Sequence, residues 1–470
     1  MVAAVFVLSL RKPWWGIILC VGLLPWAGIE VDPGVRLTAY RLALFGWLGA
    51  LAVRGLSRMG RWSEPAGGGR LSLWGIAFLA YATAWTLVQL PFIPATDVGG
   101  SVFRAVPQLR SLGQIVWYLL RFAPLLVLPA VLSRMEQGMA VARVYLASLA
   151  VLALVGFAQI AVWSATGVDI APIGAVAEVL GGSSDVRHGY FLAFGRRWLR
   201  MSSFGGEPKG LGQSLAVGLL LLQAGSLLKT KSLERITGLW VLFFLAMVAT
   251  ASTSALYVWS GGTIVLVGYL AVSRPAGRAS VPLYALALVG FCTLVVTGAA
   301  SAAGITPTEF GDVLAARTVE RRLIPDFDLA VWGFLLDHPA WGIVGVGLGN
   351  IHAYASDYIP EFARRYMENS IFVAKSGYLR ILSEVGLVGL LLFLIWMWRE
   401  LTAFRRSWRG PGMPGKNLHT PLTADEVTRR ILVVGFVGVM VLAFLARGYL
   451  WDEAVWSVGV LTAIRRNAAR

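Results

Sequence analysis

Twelve runs of apolar residues recur from one end of the chain to the other: 13–29, 37–53, 71–92, 115–132, 144–163, 211–228, 239–250, 255–272, 281–300, 379–398, 431–446 and 449–464. A helix crossing about 30 Å of hydrocarbon needs about 20 mostly apolar residues, and without water only helices or closed barrels satisfy their own backbone. Continuous runs of this kind predict helices, with soft ends for the short ones at 37–53, 239–250 and 449–464. Two long connections interrupt the series, 164–210 and 301–378. No polar block is long enough for a separate core, so residues 1–470 are expected to form a single polytopic membrane domain, all-α, with about twelve transmembrane helices. The apolar stretch before Arg11 and Lys12 is short and carries neither a preceding basic region nor a small-residue cleavage site, so no cleaved leader is expected.

Composition strengthens the membrane reading. Hydrophobic residues make up 57% of the chain and charged ones 14%, with a mean hydropathy of +0.70, whereas soluble domains carry about 25% charged residues. The net charge of +16 then reads as basic loops at the cytoplasmic face, and nucleic-acid binding is set aside. Of 41 Lys and Arg, 23 fall in one set of alternating segments, which also holds both chain ends. The positive-inside rule therefore predicts cytoplasmic termini and places 164–210, the first external loop, and 301–378, the large external loop, on the periplasmic side. Cys20 and Cys292 both lie in apolar runs with no CxxC or histidine neighbour, which argues against disulfide scaffolds, zinc sites and thiol catalysis.

Three motifs carry candidate chemistry. The first runs from Arg200 to Gln213 into the sixth apolar run. Gly205 and Gly206 allow a tight turn there, Pro208 suits a first helical turn, and Glu207 sits where the helix dipole favours a negative side chain. It reads either as a well-capped helix start or as a site where an arginine fork clamps a diphosphate while a carboxylate takes a hydroxyl proton. The second lies in the large loop. Arg321 and Arg322 precede a segment in which Phe327, Val331, Phe334 and Leu335 share one helical face up to Pro339, followed by Gly342 to Asn350, Gly-Ile-Val-Gly-Val-Gly-Leu-Gly-Asn. The face predicts a surface-lying amphipathic helix, and the glycines lack the strand and the Lys-Ser/Thr of a nucleotide loop. His338 reads as a cap or packing residue, since the four histidines show no metal spacing. The third motif is Lys375-Ser-Gly-Tyr-Leu-Arg-Ile-Leu-Ser-Glu384-Val-Gly-Leu-Val-Gly389, in which Arg380 and Glu384 share a face. They either pair simply or line a polar cavity, because ionisable residues within a span are costly and face the bundle interior. Arg121 in the fourth run is a similar case that can also reach the interface.

In this order and on this topology the motifs resemble the O-antigen polymerase and O-antigen ligase superfamily of bacterial envelope glycosyltransferases. The similarity covers roughly 198–392: an arginine before a Phe-Gly-x-x-Pro turn, Ser252-Thr-Ser254 between two runs, a long outer loop with Arg, Trp, His-Pro and Gly-x-Gly, and a Tyr-Leu-x-x-Leu-x-Glu-x-Gly-Leu-x-Gly helix. The resemblance implies a metal-independent, inverting enzyme of the inner membrane, without a cofactor, that takes a glycan from a polyprenyl-diphosphate carrier at the periplasmic side. It also implies chain-length regulators or export proteins as partners. Carried over, it makes Arg200 and Arg322, or its neighbour Arg321, diphosphate-binding, with Arg380 beside them. Glu207 and Lys375 become the catalytic candidates. Ligases of the superfamily commonly show His-Asn where Lys375-Ser376 stand here, and Glu207-Pro208 looks more like polymerase-type sequences, so a polymerase of lipid-linked repeat units is expected over a ligase. Lys375 would hold a phosphate as a point charge. A glycosyl diphosphate is already activated, so such an enzyme needs mainly leaving-group stabilisation and deprotonation of the acceptor hydroxyl. A transporter or flippase of anionic lipid-linked glycans is the alternative of another class, against which stand the absence of an evident internal repeat and the gathering of polar motifs on one face.

Overall fold

A computed structural model of the chain describes residues 1–31, 37–58, 72–95, 105–132, 135–168, 190–193, 196–226, 233–273, 326–360, 372–406 and 424–468. The described part is almost entirely helical: α1 (Val2–Arg11), α2 (Pro13–Leu23), α3 (Ala39–Arg58), α4 (Leu73–Gln89), α5 (Pro107–Val131), α6 (Met135–Thr166), α7 (Pro208–Ser226), α8 (Leu233–Ala249), α9 (Thr253–Ser273), α10 (Asp326–Asp337), α11 (Pro339–Val344), α12 (Ile351–Ala355), α13 (Gly377–Arg406), α14 (Ala424–Ala446) and α15 (Trp451–Ala468). Two antiparallel hairpins accompany them, β1 (Glu30–Val31) with β2 (Leu37–Thr38) and β3 (Tyr190–Ala193) with β4 (Arg196–Leu199). Neither hairpin was expected from the apolar pattern. Proline opens α2, α5, α7 and α11, where its missing N–H and fixed φ suit the first helical turn.

Eleven of the twelve apolar runs coincide with one helix each, and the run at 281–300 lies outside the described residues. Among the described residues, four segments are long and apolar enough to cross a membrane: Leu73–Phe92, Pro107–Pro129, Glu136–Thr166 and Gly377–Ala403. The short helix α1 has no counterpart among the runs. At about 1.5 Å per residue its ten residues span only about 15 Å. It lies along α3, where Arg54 Nη1 donates to the carbonyl oxygen of Leu10 at 2.7 Å.

Successive long helices alternate in direction. Gly28 N–H donates to Phe204 O, Met201 N–H to Ala249 O, Trp456 Nε1 to Tyr40 OH, Ser214 Oγ to Glu453 Oε1, and Gly448 N–H to Lys375 O. These bonds gather the C-terminal ends of α2, α8 and α14 and the N-terminal ends of α3, α7, α13 and α15 at one end of the bundle. Leu348 N–H donates to Thr86 Oγ1 of α4, and Ser111 Oγ of α5 to Asn350 Oδ1, so 345–350 lies at that end too. The opposite end is held by pairs such as Arg465 Nη1 with Glu400 Oε2 at 2.9 Å.

Between hydrocarbon and helix there is little hydrophobic drive, so close van der Waals fit decides which helices meet. The helix α7 is buried at every position from 211 to 220 and is the centre of the bundle. Gly212 lets it approach Thr250, Ser252 and Ala255. Phe78, Tyr118, Phe122, Phe393, Trp396, Phe444 and Trp451 form a continuous aromatic cluster where α4, α5, α13, α14 and α15 converge. Apolar residues such as Ile264, Leu154, Val116 and Trp398 point outward, as a lipid-facing surface requires.

The described part of 301–378 has a smaller apolar core of its own, built from Ala330, Val331, Phe334, Leu335, Ile351, Ala355, Ile359 and Phe372. The expected amphipathic face is its foundation, since Val331, Phe334 and Leu335 are buried and Phe327 packs against it. Pro339 does more than end that helix: it is the first residue of α11. His338 lies beside Phe334, the rings tilted by 49° with centroids 5.2 Å apart, and makes no side-chain cap, which favours the packing reading over the cap.

The tenth run is not one straight helix. Gly386 adopts φ 69° and ψ −178°, which breaks α13 into two pieces. The break leaves the carbonyls of Ser383 and Glu384 without partners in their own helix. Val346 N–H and Gly347 N–H donate to them at 2.9 and 2.8 Å. Gly345, with φ 83°, presses against the backbone of 384–386, and neither glycine leaves room for a Cβ. Discontinuous helices of this kind persist at membrane depth only where other protein backbone satisfies the freed groups.

Candidate functional site

Where the 326–376 segment meets the bundle there is a cavity of about 470 Å³. Asp328 of α10, Ser376, Tyr378 and Arg447 supply its polar lining, while Val258, Val265, Val439, Leu442 and Ala446 of α9 and α14 supply an apolar wall. Asp328 is buried because its carboxylate is a backbone anchor: Oδ1 accepts Lys375 N–H at 2.6 Å and Oδ2 accepts Ser376 N–H at 3.2 Å. These bonds fix the turn that leads into α13. The Ser376 hydroxyl is buried without a hydrogen-bond partner at the cavity edge. The Lys375 ammonium lies over the Phe327 ring, 4.9 Å from its centroid. Gly448 N–H donates to Lys375 O, so Arg447 stands directly beside this turn.

The next turn of α13 carries Arg380 and Glu384. Their pairing is real: Arg380 Nε donates to Glu384 Oε1 at 3.3 Å, and Glu384 is fully buried. Tyr118 OH donates to the other carboxylate oxygen at 3.2 Å, and Arg380 also lies over the Trp451 ring at 6.0 Å. Arg121 is tied into the same neighbourhood. Its Nε donates to Asp452 Oδ1 at 3.0 Å and its guanidinium lies over Trp117 and Trp451, so it pairs inside the bundle instead of reaching for the interface. Two cation–carboxylate pairs thus flank Trp451 on the bundle side of the cavity turn.

Arg200 and Glu207 stand differently. Arg200 Nε donates to Thr250 O at 3.0 Å and Nη2 to Ala251 O at 3.4 Å, holding the turn that follows α8 around Ala251, a non-glycine residue at φ 46°. Glu207 is exposed just before Pro208, and its carbonyl accepts Leu211 N–H, so it begins α7 as the helix-start reading expects. The connection to the cavity runs through α9. Thr250 and Ala251 lead into Ser252-Thr253-Ser254, whose first and third hydroxyls lie 3.1 Å apart, and the next two helical turns bring Tyr257 and Gly261 to the cavity wall. Arg321 and Arg322 lie outside the described residues.

The structure therefore joins Lys375, Ser376, Arg380 and Glu384 in one turn-and-helix unit and sets Arg200 at the same end of the bundle. Asp328, Arg447, Tyr118 and Asp452 were not singled out from sequence. Asp328 lies 47 residues from the amide it anchors, a separation with no local signature. Arg447 did leave a signal, as a cation in a very short turn on the face where the positive-inside rule expects few.

His352 sits where a charged imidazole is disfavoured. Burial, and then the positive charge of Arg110, hold its imidazole below the ordinary value, and Phe372 N–H donates to Nδ1 at 3.1 Å, which requires that nitrogen unprotonated. Tyr358 is shifted upward by its hydrogen bond to Asp337 Oδ2. Among the described residues no three His, Cys, Asp or Glu side chains gather as metal ligands. Compared with protein-family models and with curated proteins, the chain matches none.

Proposed function

We propose that this chain is a polymerase that joins polyprenyl-diphosphate-linked oligosaccharide repeat units at the periplasmic face of a bacterial inner membrane, crossing it about twelve times with both termini in the cytoplasm. The observation that supports this most is the cavity beside Lys375. It combines a polar end, formed by Asp328, the unpartnered Ser376 hydroxyl and Arg447, with a long apolar wall from α9 and α14, the two chemistries of a lipid-linked glycan. The alternation of the long helices, which brings Arg200, Glu207, Lys375 and Arg447 to one end, fits a reaction at a single membrane face.

In this reaction an acceptor hydroxyl oxygen bonds to the anomeric carbon of the donor. The bond from that carbon to the diphosphate breaks, and polyprenyl diphosphate leaves with the electron pair. Lys375 and Arg447, with Arg200, Arg321 or Arg322 and Arg380, supply the positive field that stabilises the leaving diphosphate. Glu207, exposed at the start of α7, takes the hydroxyl proton. Purified chain in liposomes, given a polyprenyl-diphosphate oligosaccharide, tests the reading. Longer lipid-linked chains mean polymerase, transfer to a lipid A core means ligase, and movement of the intact donor between leaflets means transport.

A further inference from the structure

Arg110, in the first turn of α5, is 5% exposed, and its Nε, Nη1 and Nη2 are all buried without a hydrogen-bond partner. A buried cation left uncompensated is strongly unfavourable, so such a group marks a place where an anion belongs. The surroundings narrow the choice. Gln114, one turn on along the same face of α5, packs against Gly349, and Gln89 at the end of α4 packs against Gly347. Both carboxamide oxygens are buried and unpartnered. His352 is the titratable neighbour whose charge couples to Arg110. Beside them Ser111 Oγ donates to Asn350 Oδ1.

We infer that Arg110, with Gln89 and Gln114, forms a subsite on the 345–350 loop for the carboxylate of an acidic sugar. One cation among neutral carboxamides balances a single negative charge, whereas a phosphate monoester brings about 1.5–2. The planar guanidinium fork matches a carboxylate in bidentate fashion. The two unpartnered carboxamide oxygens accept from ring hydroxyls, which a sugar supplies. That the carboxylate is carried on a sugar rests on the glycosyl-transfer reading; that it is a monoanion rests on Arg110's surroundings alone.

The test is binding to the full chain in nanodiscs, followed by thermal unfolding and calorimetry, with glucuronate, glucose and inorganic phosphate as probes and Arg110→Met beside the native chain. Glucuronate should raise the melting temperature of the native chain, and glucose should not. Arg110→Met should unfold no more readily than the native chain without ligand, and should weaken glucuronate binding by at least about tenfold. Equal glucuronate responses in the two chains would overturn the subsite, as would a response to phosphate alone or to none of the probes. Loss of stability in Arg110→Met with no glucuronate response in the native chain would overturn it too, as a purely structural role. Polymer formation without glucuronate binding defeats only this inference, while glucuronate binding without transfer defeats only the polymerase reading.

Discussion

Tyr118 and Glu384 meet across α5 and α13, the phenol donating to Oε2 at 3.2 Å inside a region sealed from solvent. With Arg380 on Oε1, the carboxylate is bonded on both oxygens. Removing one partner leaves a buried charge exposed to nothing that can compensate it, which typically costs about 3–5 kcal/mol when the lost partner is the cation. Arg380→Met is therefore expected to lower the melting temperature sharply, and Arg380→Met with Glu384→Leu to recover much of the loss. Differential scanning fluorimetry of the single and double variants measures it; a double variant as unstable as the single one contradicts the pairing account.

Asp328 anchors the turn before α13 through two backbone amides. Asp328→Asn keeps the shape but weakens charge-assisted bonds worth about 1.5–3 kcal/mol each, so both stability and glycan transfer should fall. Lys375→Ala leaves those amide bonds intact. It should spare the melting temperature and cut transfer, and full transfer by this variant would remove Lys375 from the site.

Arg200 holds the turn that follows α8 through Thr250 and Ala251, which adds a structural task to its place in the diphosphate field. Arg200→Lys loses the planar fork that reaches two carbonyls. A drop in melting temperature together with a drop in transfer is expected. Arg200→Ala with unchanged stability shows that this hold is dispensable.

Glu207→Gln keeps size and hydrogen bonding and removes the basic carboxylate. Because Glu207 is exposed, folding should be untouched, and a general base should lose roughly 10²–10⁴-fold in rate. Turnover equal to the native chain assigns Glu207 to the helix start alone, a task worth about 0.3–1 kcal/mol.

His352 makes the segment around α12 sensitive to acid. Its folded-state pKa lies below the ordinary value, so as pH falls the unfolded chain takes up the proton first, near about 6.5. The unfolded state then binds more protons than the folded one, and stability drops as pH falls through that value towards the folded pKa. The contribution is complete above about pH 7. Melting temperatures between about pH 7 and pH 5 should fall less steeply in His352→Gln than in the native chain, because the variant has no imidazole to titrate.

The helices were legible because most of the apolar runs are long and continuous, and the amphipathic face of Phe327, Val331, Phe334 and Leu335 because its period is short-range. What escaped depends on distant residues. The hairpin of β3 and β4 is held by backbone pairing that no hydrophobic pattern marks. The Lys375, Arg380 and Glu384 grouping was visible as one motif, whereas their partners Asp328, Tyr118 and Trp451 sit on other elements. Gly386 was read as part of a continuous helix, since a glycine in an apolar run carries no sign of its φ until a second backbone, here that of Gly345, is pressed against it.

The severed helix also has a mechanical meaning. The piece from Gly377 to Val385 is bolted to the 345–350 loop and to α5 and α15, while the piece beyond Gly386 carries outward-facing Leu387, Val388, Leu391 and Leu394. A tilt of the lipid-facing piece, as a bilayer of different thickness imposes, meets at Gly386 a joint through which no continuous ladder of helical hydrogen bonds runs. Lys375, Arg380 and Glu384 thus stand on the side of the joint that is tied to other backbone, and the lipid-facing leucines stand on the other side.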